Sequence, residues 1–181
     1  MMKRIFMLLT MMALGVLMVS SVALALNQIQ CPNGTDASFP VTCVGTKAAD
    51  SMSGSAGYDN MNGKGSNDQL YGHEDSDDMD GAAGNDTLSG GRGHDYLGDR
   101  AGTNTLNGGA GSDTFFADYA NRFGGNEISK ISGDYGNDYV YAADGAMDTI
   151  DCGAGNEDWV DFDPGLDVVS NCEIDGNGNP L

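Results

Sequence analysis

An all-β solenoid of stacked nine-residue repeats, with short disulfide-linked end caps, is the fold class that this sequence predicts. Three observations carry it. Acids recur every nine positions at Asp50, Asp59, Asp68, Asp77, Asp86, Asp95 and Asp113, with Asn104 in the same phase. Two residues after each comes a large apolar side chain: Met52, Met61, Leu70, Met79, Leu88, Leu97, Leu106 and Phe115. Glycine stands two residues before several of the acids (Gly57, Gly84, Gly93, Gly111) and opens most units, from Gly45 and Gly54 to Gly108. Each unit then supplies a loop and a short strand, and two units complete one turn, so residues two units apart stack directly.

Composition alone points elsewhere. The 181 residues carry 27 acids against 8 bases, a formal net charge of −19. High charge with modest hydrophobicity usually means disorder, but here the acids keep a strict register with glycine and apolar residues. The same charge disfavours nucleic acid and anionic membrane surfaces as partners, since both demand a basic face. What remains is a solvated, repelling surface or a set of carboxylates neutralised by bound cations.

Residues 1–25 read as a signal peptide. Lys3 and Arg4 precede an apolar run from Ile5 to Val19, and Ala23-Leu24-Ala25 forms a small-x-small cleavage site. An uncleaved anchor is the competing reading, because Ile5 to Leu26 could just span a bilayer; Ser20, Ser21 and the cleavage site favour removal. No second apolar run follows, so the mature chain is expected to be secreted, extracellular and free of the membrane.

Residues 26–44 read as an N-terminal cap with turns at Pro32-Asn33-Gly34 and Phe39-Pro40. A Cys31–Cys43 bridge would close a short loop there. An even cysteine count in an exported chain favours disulfides. The spacings match no zinc pattern, and the only histidines, His73 and His94, sit at variable positions and read as solvated loop residues. The regular repeats fill 45–116. Residues 117–132 read as an irregular insertion, in which Ala117 to Ala120 and Lys130 to Ser132 bulge as surface loops around a degenerate unit at Gly124 to Ile128. Degenerate repeats and a C-terminal cap follow over 133–174, carrying Asp138, Asp148, Asp158 and Asp167, and the tail 175–181 is expected to fray. One turn beyond Cys152 lies Asn171, beside Cys172. Cysteines on adjacent rungs, with strands about 4.8 Å apart, can be bridged.

Stacking also sorts the acids into two columns, Asp50, Asp68 and Asp86 in one and Asp59, Asp77, Asp95 and Asp113 in the other. Like carboxylates on neighbouring rungs repel and resist joint ionisation. The apolar core, one side chain per strand, is too thin to order so many loops by itself. A divalent cation between rungs would convert the repulsion into coordination. Calcium suits this, taking six to eight oxygens at roughly 2.3–2.6 Å from carboxylates and main-chain carbonyls alike, whereas magnesium demands tighter octahedral geometry. Glycine lets the loop backbone adopt positive φ and turn its carbonyls toward an ion.

Two units, Gly90 to Leu97 and Gly108 to Phe115, fit G-G-x-G-x-D-x-U with U apolar, and Gly81 to Leu88 lacks only the second glycine. On these motifs the chain resembles the RTX (hemolysin-type) calcium-binding nonapeptide repeat family of parallel β-rolls, whose repeat the general rule for solenoids includes. The resemblance implies several Ca2+ ions bridged by the acid of each unit, with carbonyls of the glycine positions completing each shell. Carried onto this chain, it nominates Asp50, Asp59, Asp68, Asp77, Asp86, Asp95, Asp113, Gly57, Gly84, Gly93 and Gly111, and further along Asp138. Asn104 replaces the acid, so an ion beside it should be held more weakly. Ser66 and Asp75 stand where glycine is expected, which challenges the loop geometry there. The family's usual type I export also differs from an N-terminal signal, so this chain is expected to leave by the general route.

The function expected is that of a secreted calcium-binding repeat protein whose folding is coupled to the ion. An extracellular adhesion or interaction module, with a protein or glycan partner, is the alternative. A polysaccharide-active β-helix enzyme is the third reading. It finds little support, because the paired carboxylates belong to the columns and neither 26–44 nor 117–132 is long enough for a catalytic domain. The outward residues Ser51, Asn60, Gln69, Asp78, Thr87 and Tyr96 are ragged, which argues against an ice-binding ladder.

Overall fold

A computed structural model of the chain describes residues 26–31, 42–117 and 128–181. The expected signal segment 1–25, the turns within 32–41 and the proposed unit at Gly124 to Glu127 lie outside the described residues. The described residues hold strands and loops without a helix. They form two eight-stranded sheets in which every paired strand is parallel to its neighbours. The first sheet takes β1 (Asn27–Gln30), β3 (Asp50–Ser53), β5 (Gln69–Glu74), β7 (Thr87–Arg92), β9 (Thr103–Ala110), β11 (Ile128–Tyr135), β13 (Thr149–Asp151) and β15 (Val168–Ser170). The second takes β2 (Thr42–Val44), β4 (Asn60–Asn62), β6 (Asp78–Asp80), β8 (Tyr96–Gly98), β10 (Thr114–Phe116), β12 (Tyr139–Tyr141), β14 (Trp159–Asp161) and β16 (Ile174–Asp175). Consecutive strands alternate between sheets, so the chain winds as a β-roll.

The nine-residue rhythm produces this winding because each short strand has one inward position. Met52 pairs with Leu70, Leu70 with Leu88 and Leu88 with Leu106 in the first sheet. Met61, Met79, Leu97 and Phe115 form the matching row in the second. All eight are at most 1 % exposed, so the expected one-side-chain core is present. Ile131 and Ile150 extend the first row and Val140 and Val160 the second. Their β-branched side chains suit short parallel strands buried against the opposite sheet.

The interruption after Phe116 differs from expectation. Phe115 pairs with Val140, 25 positions on, where earlier rungs step by 18. In sequence the added residues come before β11, and Lys130 to Ser132 do not bulge. They lie within β11, in register with Thr105 to Asn107 on one side and Thr149 to Asp151 on the other. Alternation explains it: Ser129 and Ile131 point inward while Ile128 and Lys130 point out, a strand pattern hidden by the weak apolar content of the segment.

Both expected disulfides are present. Cys31–Cys43 and Cys152–Cys172 have Cα separations of 5.4 and 5.2 Å, inside the range a disulfide spans. Cys31, Cys43 and Cys152 belong to the buried core, so each bridge also closes one end of the apolar row. The tail makes local contacts: Asp175 Oδ1 accepts N–H groups from Asn177 and Asn179, and Ile174 bridges to Pro180.

Replacing Cys152 and Cys172 together by serine should lower stability by about 2–5 kcal/mol. Urea denaturation gives the total, and amide exchange should show the loss concentrated at Val160 and Ile174 while Leu70 to Leu97 keep their protection.

Candidate metal centre

The acid of each unit sits at the junction of loop and strand, where the chain turns inward. There its carboxylate is fully buried: Asp50, Asp59, Asp68, Asp77, Asp86, Asp95, Asp113 and Asp138 are each at most 2 % exposed. Burial of so many acids requires partners, and the main chain supplies one for each. The Asp50 N–H donates to Asp68 Oδ1, Asp68 N–H to Asp86 Oδ1, and Asp86 N–H to Asn104 Oδ1, at 2.7–2.9 Å. On the other side Asp59 donates to Asp77, Asp77 to Asp95, Asp95 to Asp113, Asp113 to Asp138 and Asp138 to Asp158, each at 2.8–2.9 Å. From Asp68 onward each of these carboxylates therefore hangs from the amide one turn before it; the second column is a continuous ladder to Asp158, while the first runs to Asn104 and resumes at Ser129.

The second oxygen has no such partner. Oδ2 of Asp68, Asp77, Asp86, Asp95, Asp113, Asp138, Asp148 and Asp158 is buried and finds no hydrogen-bond partner among the described residues. Opening glycines lie against these atoms: a Cβ at Gly63 would come within 2.5 Å of Asp68 Oδ2, and Gly72, Gly90, Gly108 and Gly133 press on Asp77, Asp95, Asp113 and Asp138 more closely still. Glycine is needed there because the carboxylate occupies the space of a side chain.

A second constraint falls on the glycine before each acid. Gly84, Gly93 and Gly111 have φ of 149°, 151° and 147°, and a Cβ on any of them would collide with the carbonyl of Ser66, Asp75 or Gly93 one turn earlier. The carbonyls thus point along the column between successive loops. Ser66 and Asp75, which lack the glycine, also take positive φ, but at 80° and 71°. That left-handed conformation costs a side-chain-bearing residue about 1–2 kcal/mol.

The first two rungs are built differently. Asp50 Oδ2 accepts the Thr46 N–H, and Asp59 Oδ2 accepts the Ser55 N–H, both at 2.6 Å, with the hydroxyls of Thr46 and Ser55 adding further bonds. Gly57 exchanges bonds with the Ser55 hydroxyl instead of stacking its carbonyl as Gly84, Gly93 and Gly111 do. Threonine or serine after the opening glycine is the sequence signal for this closed form.

Several ladder members were outside the nominated set. Asp148 and Asp158 are full members, with Ser129 N–H donating to Asp148 Oδ1. Ser129 holds the acid position in β11, and Glu173 accepts the Asp158 N–H at the end of the second ladder. Asp99 occupies an opening position and is 0 % exposed. His94 is exposed but not simply solvated: its Nδ1 accepts the Ser112 N–H, in an outer ladder that also runs from Thr103 N–H to Asn85 Oδ1.

Burial, opposed by the main-chain N–H bonds and reinforced by neighbouring carboxylates, raises Asp77, Asp86, Asp113 and Asp148 to about 7. Asp68 and Asp138 rise to about 6 from the same causes. Asp95 also rises to about 6 through burial, against the main-chain bond and the nearby His94. Among the described residues no three Asp, Glu, His or Cys side chains converge. A cation held here would draw on main-chain carbonyls as well as carboxylates, which is a hard-oxygen donor set suited to calcium.

The model of the RTX calcium-binding nonapeptide repeat family matches residues 44–79, 64–97 and 90–118. Residues 44–118 are thus RTX-type repeats, and the parallel β-roll is consistent with that match. No curated protein and no solved structure matches the chain.

A carboxyl raised in the folded state binds its proton more tightly there than in the unfolded chain, so its contribution is present at low pH and lost as pH rises. With a chelator present, the urea midpoint should therefore fall between about pH 4 and about pH 7, and chemical denaturation at intervals across that window checks it.

Proposed function

We propose that the chain is a secreted calcium-binding protein whose folding is coupled to several Ca2+ ions held along the two carboxylate ladders. The observation that carries this reading is the row of buried Oδ2 atoms without hydrogen-bond partners, stacked on consecutive rungs of RTX repeats. A buried polar atom left unpaired is costly, and a buried charge more so. Bound calcium supplies the positive charge and the coordination that these oxygens lack.

The residues have distinct parts in this. Asp68, Asp77, Asp86, Asp95, Asp113 and Asp138 would hold ions through Oδ2 while Oδ1 stays tied to the preceding rung. The positive-φ backbone at Gly84, Gly93 and Gly111 would direct carbonyls into the same loops. Asp50 is better read as closing its N-terminal rung than as a principal ligand, because both its oxygens already accept hydrogen bonds; Asp59 would offer Oδ1, which is buried and without a partner among the described residues, in place of Oδ2. Asp148 and Asp158 join the ligand set. The role is binding and not catalysis, since the paired acids are engaged by the ladders.

Secretion fits the same picture. An N-terminal export signal with two disulfides directs the chain to an oxidising compartment. Calcium is millimolar outside cells and scarce inside, so a roll that needs the ion would complete its folding after export. Binding to the folded state alone stabilises it by mass action.

Far-UV circular dichroism should show the strand signal rising with calcium and falling with a chelator; an unchanged signal contradicts the coupling. Asp86→Asn with Asp95→Asn should raise the calcium midpoint roughly tenfold, equivalent to ~1.4 kcal/mol. Glu157→Gln, on an exposed loop, should leave it unchanged.

A further inference from the structure

One unit reverses the repeat. From residue 99 to 104 the chain reads Asp-Arg-Ala-Gly-Thr-Asn, with the acid at the opening position and the amide at the ladder position. Asn104 keeps half of the ladder role, since its Oδ1 accepts the Asp86 N–H at 2.9 Å. Its other end presents an amide nitrogen, buried and without a partner among the described residues, where neighbouring rungs present Oδ2. An N–H2 group cannot ligate a cation.

Asp99 stands one turn beyond Gly81. At the corresponding places, Gly63, Gly72 and Gly90 each face the Oδ2 of their own unit's acid and the carbonyl of the opening glycine one turn on. Gly81 instead faces two carboxylates: a Cβ there would lie 2.6 Å from Asp99 Oδ2 and 2.8 Å from Asp86 Oδ2. Both atoms are buried and both lack a hydrogen-bond partner among the described residues. Asp99 Oδ1 is separately occupied, accepting the Arg100 N–H at 2.6 Å. The Arg100 guanidinium reaches Asp80.

Resting on the calcium reading above, we propose that Asp99 is a metal ligand that replaces the one lost at Asn104, so that Asp86 and Asp99 together hold a Ca2+ ion from a non-repeat position. The substitution of the acid by Asn104 therefore does not weaken the array at this rung. The anionic oxygen enters from the start of the loop instead of its end.

Native mass spectrometry of the intact mature chain at graded calcium, with melting curves in calcium and in chelator, tests this. Asp99→Asn keeps the Oδ1 acceptor and the side-chain volume. It should bind one calcium fewer than the unaltered chain, melt lower in calcium, and melt no lower in chelator. Adding Asn104→Asp to Asp99→Asn should restore the lost ion. Asp95→Asn, on the other ladder, is the control that should also lose calcium. If Asp99→Asn keeps every ion while Asp95→Asn loses one, the role of Asp99 is overturned and the calcium ladders stand. Equal destabilisation of Asp99→Asn in calcium and in chelator overturns it as well, marking a structural side chain. Absence of bound calcium in the unaltered chain overturns both readings. Should Asp99→Asn fail to fold in calcium, recovery by the double variant supports the proposal and continued failure overturns it.

Discussion

Each rung of this roll depends on a single hydrogen bond, the one by which a main-chain N–H holds the buried carboxylate of the next turn. From Asp50 to Asp86 and from Asp59 to Asp158 the bond recurs with little variation in length. It fixes the orientation of the ladder acids from Asp68 onward, and so determines where the second oxygen points. It also leaves that oxygen buried and unpaired. The loops, the opening glycines and the row of unpaired oxygens all follow from this one arrangement.

The apolar core is subordinate to it. One side chain per strand lies between the sheets, and the two disulfides close the ends of that row. Such a core sets register, because an inward residue displaced by one position would face solvent. It does not neutralise two lines of stacked acids. Along the rod the acids are also not equivalent. Thr46 satisfies the first from within its own loop, Ser55 occupies only Oδ2 of Asp59, and the central and later ones stay open.

Much of this was legible from residue types and spacing. The acid, glycine and apolar positions repeat in strict phase, so the winding, both ladders and the core rows follow from counting, and the cysteines fall on neighbouring rungs. Legibility failed where a position keeps its geometry with a different side chain. Ser129 carries the ladder amide without an acid, so β11 was hidden and Lys130 to Ser132 looked like an insertion. Ser66 and Asp75 take positive φ at the glycine position, which residue type alone cannot announce. Asp99 was overlooked because its carboxylate reaches the column from the wrong end of the unit, although the acid-to-amide exchange with Asn104 was visible in the sequence.

Amide hydrogen exchange of the ladder N–H groups, with and without calcium, tests the central claim most directly. The account predicts that the amides of Asp68, Asp77, Asp86 and Asp95 become protected together when calcium is added, and exchange freely in chelator. Equal protection of these amides in calcium and in chelator would contradict it, and would mean that the carboxylate ladders stand without a cation.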